Sequence, residues 1–286
     1  FAPMTPCPPC EPTVDCNESA NFQFEIPRFS TTASQLVETL NQSETNVPAV
    51  VQLIECEPTI SSQVLGLVNS PIYGASRAIT TIGHAVVVLG FRCVAQQAIA
   101  SASGALFKAK DAACQAHRLD TYIQSLGVAT TARFIAKRTK TTNPDEAFLC
   151  GVVHDIGKLI LFQHAGEAYA GMLDESPHEK SLAPEIESYG ITHATLGRQC
   201  GVAWSLPTQM CITIANHHLP LNEATDPLSR TLICAAYLAK KWQLGFCEDA
   251  FSEDSEMESE LCDFQDPDLA AECREQFEAI RDICLS

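Results

Sequence analysis

Apolar residues recur every three or four positions along most of the chain after Ser30. Segments such as ASQLVETLNQ, VPAVVQLIECE and PLSRTLICAAYLAKKWQ show this spacing, which predicts amphipathic helices. In ITTIGHAVVVLGFRCVAQQAIASAS, we expect Gly83 and Gly90 to allow close contact between helices. Polar and apolar residues never alternate long enough to predict a strand. The sequence therefore predicts an all-α fold.

Composition divides the chain into four parts. Residues 1–27 are rich in proline and cysteine without periodicity, which is typical of a linker or a disordered segment. Helical patterns fill residues 28–110 and 111–245. Residues 246–286 are strongly acidic, and we expect a terminal helix from about Pro267 to Ile283 within them. Their charge fits either a solvated surface helix or a docking surface for a basic partner.

Charge and hydropathy limit the classes of partner. The formal net charge of −17 disfavours nucleic acid as the main partner, because duplex binding neutralises many phosphates. No stretch reaches the roughly 20 apolar residues that a membrane-spanning helix needs, and the first residues lack the features of a signal peptide. Since the chain does not begin with methionine, we expect a fragment or processed form of a longer protein.

The cysteines indicate the compartment. Most of the fourteen lie in apolar helical patterns, where we expect them to be buried as small hydrophobic residues: Cys56, Cys93, Cys150, Cys211 and Cys234. This usage predicts a reducing, cytoplasmic protein. A CxxC with a third cysteine also occurs near the start, at Cys7, Cys10 and Cys16. Without a second pair at matching spacing, it favours the linker over a redox or metal site.

An adjacent His154–Asp155 pair lies in the otherwise apolar helical run CGVVHDIGKLILF. A buried carboxylate that keeps its charge must be paired, hydrogen-bonded or bound to a metal. The pair is therefore a metal-site candidate, an outward-pointing polar patch, or a hydrogen-bonded pair that fixes helix register. Lys158, four residues after His154, could contact a phosphate, neutralise Asp155 or be solvated.

Further histidines fall at the ends of the later helical segments. His193 begins HATLGRQCGVAW, and His217 and His218 close ITIANHH. Helices of a bundle can direct such residues, together with His154 and Asp155, toward a common centre. Imidazole and carboxylate ligands suit iron, manganese or zinc, so these are the ions that such a centre would hold.

Four quoted segments give the chain a family resemblance. FLCGVVHDIGKLILF is similar to the core motif of the HD superfamily of metal-dependent phosphohydrolases. Together with VLGLVNSPIYGASRAITTIGHAVVVLGF, ITHATLGRQCGVAWSLP and IANHH, it resembles the HDOD family, a signalling branch of that superfamily. The likeness covers roughly residues 26 to 242. It implies an N-terminal helical subdomain over residues 28–110 and an HD-like core over residues 111–245.

The resemblance also indicates which ligands are missing. Catalytic HD enzymes complete their metal site with a histidine on an earlier helix and an aspartate on a later helix. The matching positions in this sequence hold Gln124 and Ala236. A neutral amide is a poor ligand and alanine is none, so the resemblance implies a degenerate site without a two-metal centre. Such a site would hold either no metal or one divalent ion of iron, manganese or zinc at low occupancy. We therefore expect no phosphodiesterase activity on cyclic dinucleotides.

Two functions follow from the resemblance. The first is a non-catalytic bacterial signal-transduction module, the output part of a multidomain response regulator. It would respond to an upstream input domain or protein partner, or to a small nucleotide. The alternative is a metal-dependent phosphohydrolase that acts on a nucleotide or phosphodiester, with Lys158 as a phosphate contact.

Overall fold

A computed structural model describes most of the chain. The described residues are 24–28, 30–41, 46–70, 73, 78–107, 112–175, 182–245 and 254–285. They form helices and connecting segments, and no strand occurs among them, which confirms the all-α prediction. Cys7, Cys10 and Cys16 of the predicted linker lie outside these ranges.

The N-terminal helices surround one buried helix. They are α1 (Thr31–Asn41), α2 (Val47–Glu55), α3 (Pro58–Val68), α4 (Ile82–Leu89) and α5 (Phe91–Gly104). Helix α5 packs against α1, α3 and α4 on one side and against the following part of the chain on the other. It is buried continuously from Cys93 to Gly104, so it forms the core of this part.

The second group of helices is arranged around the longest one, α6. Its members are α6 (Ala112–Thr139), α7 (Pro144–Val153), α8 (Ile156–Ala165), α9 (Glu167–Glu175), α10 (Leu182–Tyr189), α11 (His193–Ala203), α12 (Thr208–Asn216) and α13 (Pro227–Lys241). Helix α6 packs against α7 and α13, and α11 packs against α8 and α12. Within the described ranges, no helix has the length and apolar character that a membrane span requires.

Two helices close the chain, α14 (Ser255–Glu260) and α15 (Pro267–Leu285). The predicted terminal helix is confirmed and extends two residues further than expected. Asp266 Oδ1 accepts a 2.9 Å hydrogen bond from the backbone nitrogen of Asp268, which caps the start of α15. Helix α15 buries Phe277 and Ile280 and packs against both α3 and α6. It therefore connects the two groups of helices.

Two glycines of the N-terminal part do not have the role that the sequence predicted for them. Gly90 has φ +84°, a left-handed conformation that glycine adopts without strain, and it separates α4 from α5. A β-carbon added at Gly83 or Gly90 would meet no other atom within 4 Å. The prediction that these two glycines allow close helix contact is therefore wrong.

Most of the cysteines expected in the core are buried. Four of the five are buried and form no disulfide, namely Cys93, Cys150, Cys211 and Cys234, whereas Cys56 is exposed. Cys56 follows the last turn of α2, where the helix end turns toward solvent, so its prediction is wrong.

Close helix contact occurs instead at Gly157 on α8 and Gly151 on α7. A β-carbon on Gly157 would overlap the carbonyl oxygen of His193 and lie 2.7 Å from the backbone nitrogen of Gly197. A β-carbon on Gly151 would overlap the Cα atom of Ala129 on α6. The backbones of α8 and α11 can therefore touch, and this contact places the His154–Asp155 segment beside the start of α11.

We expect Gly157→Ala to destabilise the protein by about 1–3 kcal/mol, because the added methyl group overpacks a contact between two backbones. Urea unfolding, followed by far-ultraviolet circular dichroism, measures the effect. Gly171→Ala is the matched control, since Gly171 is exposed on α9 and has open space around it. The control should be neutral or up to about 1 kcal/mol more stable. Equal stabilities for the two variants would contradict the packing argument.

Candidate metal centre

The His154–Asp155 pair lies in a turn between two helices. Helix α7 ends at Val153 and α8 begins at Ile156, so the prediction that one helix carries both residues is wrong. His154 keeps helical dihedral angles (φ −59°, ψ −36°), but Asp155 departs from them (φ −94°, ψ 11°). Because of this turn, both side chains line one cavity.

Two other helix ends meet this turn. Thr192 caps α11 by accepting a hydrogen bond from the backbone nitrogen of Thr195, so His193 is the first residue of that helix. Helix α12 ends at Asn216, and His217 and His218 follow it. One ligand atom from each of four residues lies within 4.8 Å of the others: Asp155, His193, His217 and His218.

The distances in this cluster suit a metal ion. His193 Nε2 lies 2.9 Å from His218 Nε2, 3.3 Å from His217 Nε2 and 3.3 Å from Asp155 Oδ1. Ligand atoms arranged tetrahedrally around zinc are about 3.4 Å apart, because zinc–nitrogen bonds are about 2.1 Å long. The distances from His193 Nε2 to the other three donor atoms are therefore already close to the spacing that an ion requires.

Backbone carbonyls fix the tautomers of two histidines. Nδ1 of His217 lies 2.6 Å from the carbonyl oxygen of Ile214, and Nδ1 of His154 lies 2.7 Å from that of Gly151. A carbonyl oxygen only accepts hydrogen bonds, so each Nδ1 carries the hydrogen and each Nε2 keeps its lone pair. Both rings are thereby prepared as Nε2 ligands.

Glu185 holds His193 in the same way, and the sequence analysis missed it. Its carboxylate accepts hydrogen bonds from His193 Nδ1 at 2.8 Å, from the His193 backbone nitrogen at 2.7 Å and from the Tyr169 hydroxyl at 2.7 Å. Glu185 and His193 are completely buried. A carboxylate behind a ligating imidazole fixes the ring and strengthens it as a ligand. The one sequence signal was a glutamate eight residues before His193 on a short helix.

Lys158 pairs with Asp155. Its Nζ donates a 2.7 Å hydrogen bond to Asp155 Oδ2, and its side chain is 2% exposed. The solvated alternative for Lys158 is therefore wrong, and the pairing alternative is confirmed. This contact leaves Oδ1 as the Asp155 oxygen that faces the imidazoles of His193 and His217.

The protonation states follow from burial and from this ion pair. Burial alone would raise the pKa of Asp155, but the ammonium of Lys158 and the neighbouring imidazoles together outweigh burial and hold the pKa well below its usual range. Burial lowers the pKa of His154 to about 4 and lowers the pKa values of His193 and His218. These imidazoles are therefore neutral at pH 7, which is the form that binds metals.

A buried oxygen without a partner supports the fit to a metal. Asp155 Oδ1 is buried and accepts no hydrogen bond of normal geometry, a situation that typically costs about 1–3 kcal/mol. An ion among the imidazoles would satisfy it. Three imidazole nitrogens and one carboxylate oxygen suit iron, manganese or zinc better than magnesium.

The two positions singled out as lost ligands lie at the same cavity. Gln124 on α6 and Ala236 on α13 both line it, together with His154 and Lys158. The cavity holds about 310 Å³. His154 is next to the four-donor cluster, with its ring 5.0 Å from that of His217, but outside it. All of the predicted site residues are therefore gathered in one place.

Solved structures and one curated protein resemble the chain. A Shewanella amazonensis SB2B crystal structure, provisionally named a phosphohydrolase, is 25% identical, with a TM-score of 0.70 over 90% of this chain and 94% of that chain. A Geobacter sulfurreducens HDOD domain protein of unknown function is 24% identical, with a TM-score of 0.66 over 88% of this chain and 83% of that one.

The curated relative is an uncharacterized protein of Treponema pallidum (strain Nichols). It is 23% identical over 221 residues, which cover 74% of this chain and 41% of that protein. This chain thus spans about two fifths of the length of its relative. The family model of the HDOD domain matches residues 26–220, as the sequence motifs predicted, and the chain belongs to the HDOD family.

Proposed function

We propose that the chain is a bacterial signal-transduction domain that holds a single divalent ion and does not hydrolyse phosphate esters. The observation that carries this proposal is the pair Gln124 and Ala236 in the wall of the cavity. At both places, the resemblance to HD enzymes calls for a metal ligand. An amide and a methyl group occupy these positions instead, so the cavity has donor atoms for one metal ion.

The ion would be held by Asp155, His193, His217 and His218, whose donor atoms already converge. A bound divalent ion would supply Lewis-acid chemistry. The chain's own groups prepare its place: Glu185 orients His193, and the Ile214 carbonyl orients His217. Lys158 occupies Oδ2 of Asp155, which leaves this carboxylate one oxygen for an ion in this arrangement. This supports one ion and gives no support to a bridged pair.

The signalling mechanism that we propose is a rearrangement between the N-terminal helices and the HD-like core, biased by an attached input domain. Such a rearrangement would have to break side-chain hydrogen bonds that join these two parts. Asn41 Nδ2 donates to the Ser205 carbonyl at 2.9 Å, and Arg118 Nη2 donates to the Leu106 carbonyl at 3.2 Å. The greater length of the curated relative supports a place within a longer protein, for which we propose a cytoplasmic response regulator.

The alternative function is a metal-dependent phosphohydrolase that acts on a nucleotide or phosphodiester. It is favoured by the complete four-donor cluster and by the provisional name of the Shewanella amazonensis structure. In that case Lys158 would leave Asp155 to contact a phosphate. The two functions differ in the number of ions bound and in turnover.

We expect the wild-type protein to bind at most one manganese ion per chain and to leave bis(4-nitrophenyl) phosphate intact. The variant Gln124→His/Ala236→Asp adds two ligands to the cavity, so it should take up a second ion. Elemental analysis after dialysis measures the number of manganese ions bound per chain, and absorbance follows hydrolysis of the ester. Gln35→His/Ala203→Asp makes the same changes at two exposed positions and should behave like wild type. Two ions and brisk turnover in wild type would establish the alternative.

We expect Glu185→Ala to weaken zinc binding by about 10–100-fold, because His193 loses the carboxylate that orients it. Competition with a chromogenic chelator measures the affinity. Glu187→Ala on the same helix is the control, since Glu187 is exposed and its removal should leave zinc affinity unchanged. Glu185→Gln keeps the side-chain volume and should give an intermediate affinity. Equal affinities for Glu185→Ala and Glu187→Ala would show that Glu185 has no part in the centre.

A further inference from the structure

Helix α14 forms part of the wall of the metal cavity. Asp254, Glu256 and Met257 line the cavity, although they lie beyond residues 26–220, which the family model matches. The properties of this wall are therefore a feature of this chain and cannot be taken over from the family domain.

Glu258 fixes α14 against α13. Its carboxylate accepts hydrogen bonds from the Tyr237 hydroxyl at 2.5 Å and from Lys241 Nζ at 2.7 Å. It also accepts one from Gln265 Nε2 at 2.6 Å. These bonds, led by that from Lys241, lower the pKa of Glu258. Asp254 caps the helix by accepting hydrogen bonds from two backbone nitrogens. Helix α14 is thus held in place at the cavity.

The charges around the cavity disfavour anions. Among the described residues that line it, carboxylates are present on Asp155, Asp254 and Glu256, and Lys158 has the one ammonium or guanidinium group. That ammonium already bonds to Asp155. A phosphate group is usually bound by several basic groups or by free backbone N–H groups. A divalent ion would balance the acidic wall without making the cavity strongly positive.

Much of the remaining wall is apolar. Leu219, Leu221, Ile233 and Met257 line the cavity beside the imidazoles. Apolar walls with a few polar groups at one end are typical of sites for small ligands. Such a cavity suits an uncharged molecule that offers one donor atom to the ion and an apolar part to the wall.

We propose that Glu256 of α14 determines the ligand specificity of the metal cavity, excluding phosphate and phosphate esters and admitting small uncharged metal ligands. The inference rests on the proposed single-ion centre and specifies its ligand. It favours the signalling function over hydrolysis, because a phosphohydrolase must admit an anionic substrate. It also disfavours a nucleotide as the signal.

The test uses the full chain loaded with manganese, with inorganic phosphate and neutral imidazole (at pH 8) as probes. Manganese is paramagnetic, so a probe that reaches the ion relaxes faster, which phosphorus and proton magnetic resonance detect. Glu256 is exposed and lines the cavity, so Glu256→Lys replaces a negative charge by a positive one at the cavity wall. Glu278→Lys makes the same change at an exposed position of α15, which is not among the described residues that line the cavity.

In wild type and Glu278→Lys, we expect imidazole to relax faster and phosphate to remain unaffected. In Glu256→Lys, we expect phosphate affinity to rise severalfold at low ionic strength, because the charge at the cavity wall changes by two units, and we expect imidazole binding to persist. Strong phosphate binding by wild type, or equal behaviour of the two lysine variants, would overturn the proposal. So would a failure of imidazole to reach the ion.

Electron paramagnetic resonance of free manganese distinguishes a failure of the Glu256 proposal from a failure of the proposed single-ion centre. If wild type leaves all manganese free, the single-ion centre is wrong, and the specificity proposal falls with it. If manganese binds at one ion per chain and the phosphate comparison fails, only the role of Glu256 is wrong.

Discussion

The buried charge of Asp155 is the constraint on which the rest of the site depends. A carboxylate that is 4% exposed must be neutralised within the protein. Lys158 satisfies Oδ2, and the histidines surround Oδ1. Removing Lys158 alone would leave an uncompensated charge, which is far more costly than replacing the whole pair by apolar residues. The turn between α7 and α8 lies at Asp155, and it allows this carboxylate to face the cavity.

The positions of the surrounding histidines depend on backbone contact between helices. Gly157 lets α8 touch α11 at His193, and Gly197 lies at the same contact. Glu185 then fixes the ring of His193 from the side away from the cavity. Packing and hydrogen bonding therefore have different roles. Small residues set the separation of the helices, and buried polar groups set the orientation of the rings.

The C-terminal helices have two separate tasks outside the matched family domain. Helix α15 packs against both α3 and α6, so it connects the N-terminal helices to the HD-like core. Helix α14 instead adds an acidic and apolar wall to the cavity, held by Glu258. The acidic segment, which the sequence left as either a solvated surface helix or a docking surface, thus lies partly at the cavity.

The sequence alone determined the helical class, the terminal helix, the family, and the group of residues that gather at the cavity, including Gln124 and Ala236. The helices follow from local periodicity, whereas the family and the residues at the cavity follow from the resemblance of the motifs to those of HDOD proteins. Tertiary structure decided the turn at Asp155, the role of Glu185 and the wall formed by α14. Each of these depends on contacts between residues far apart in the chain, and burial of a polar group is decided by what packs around it.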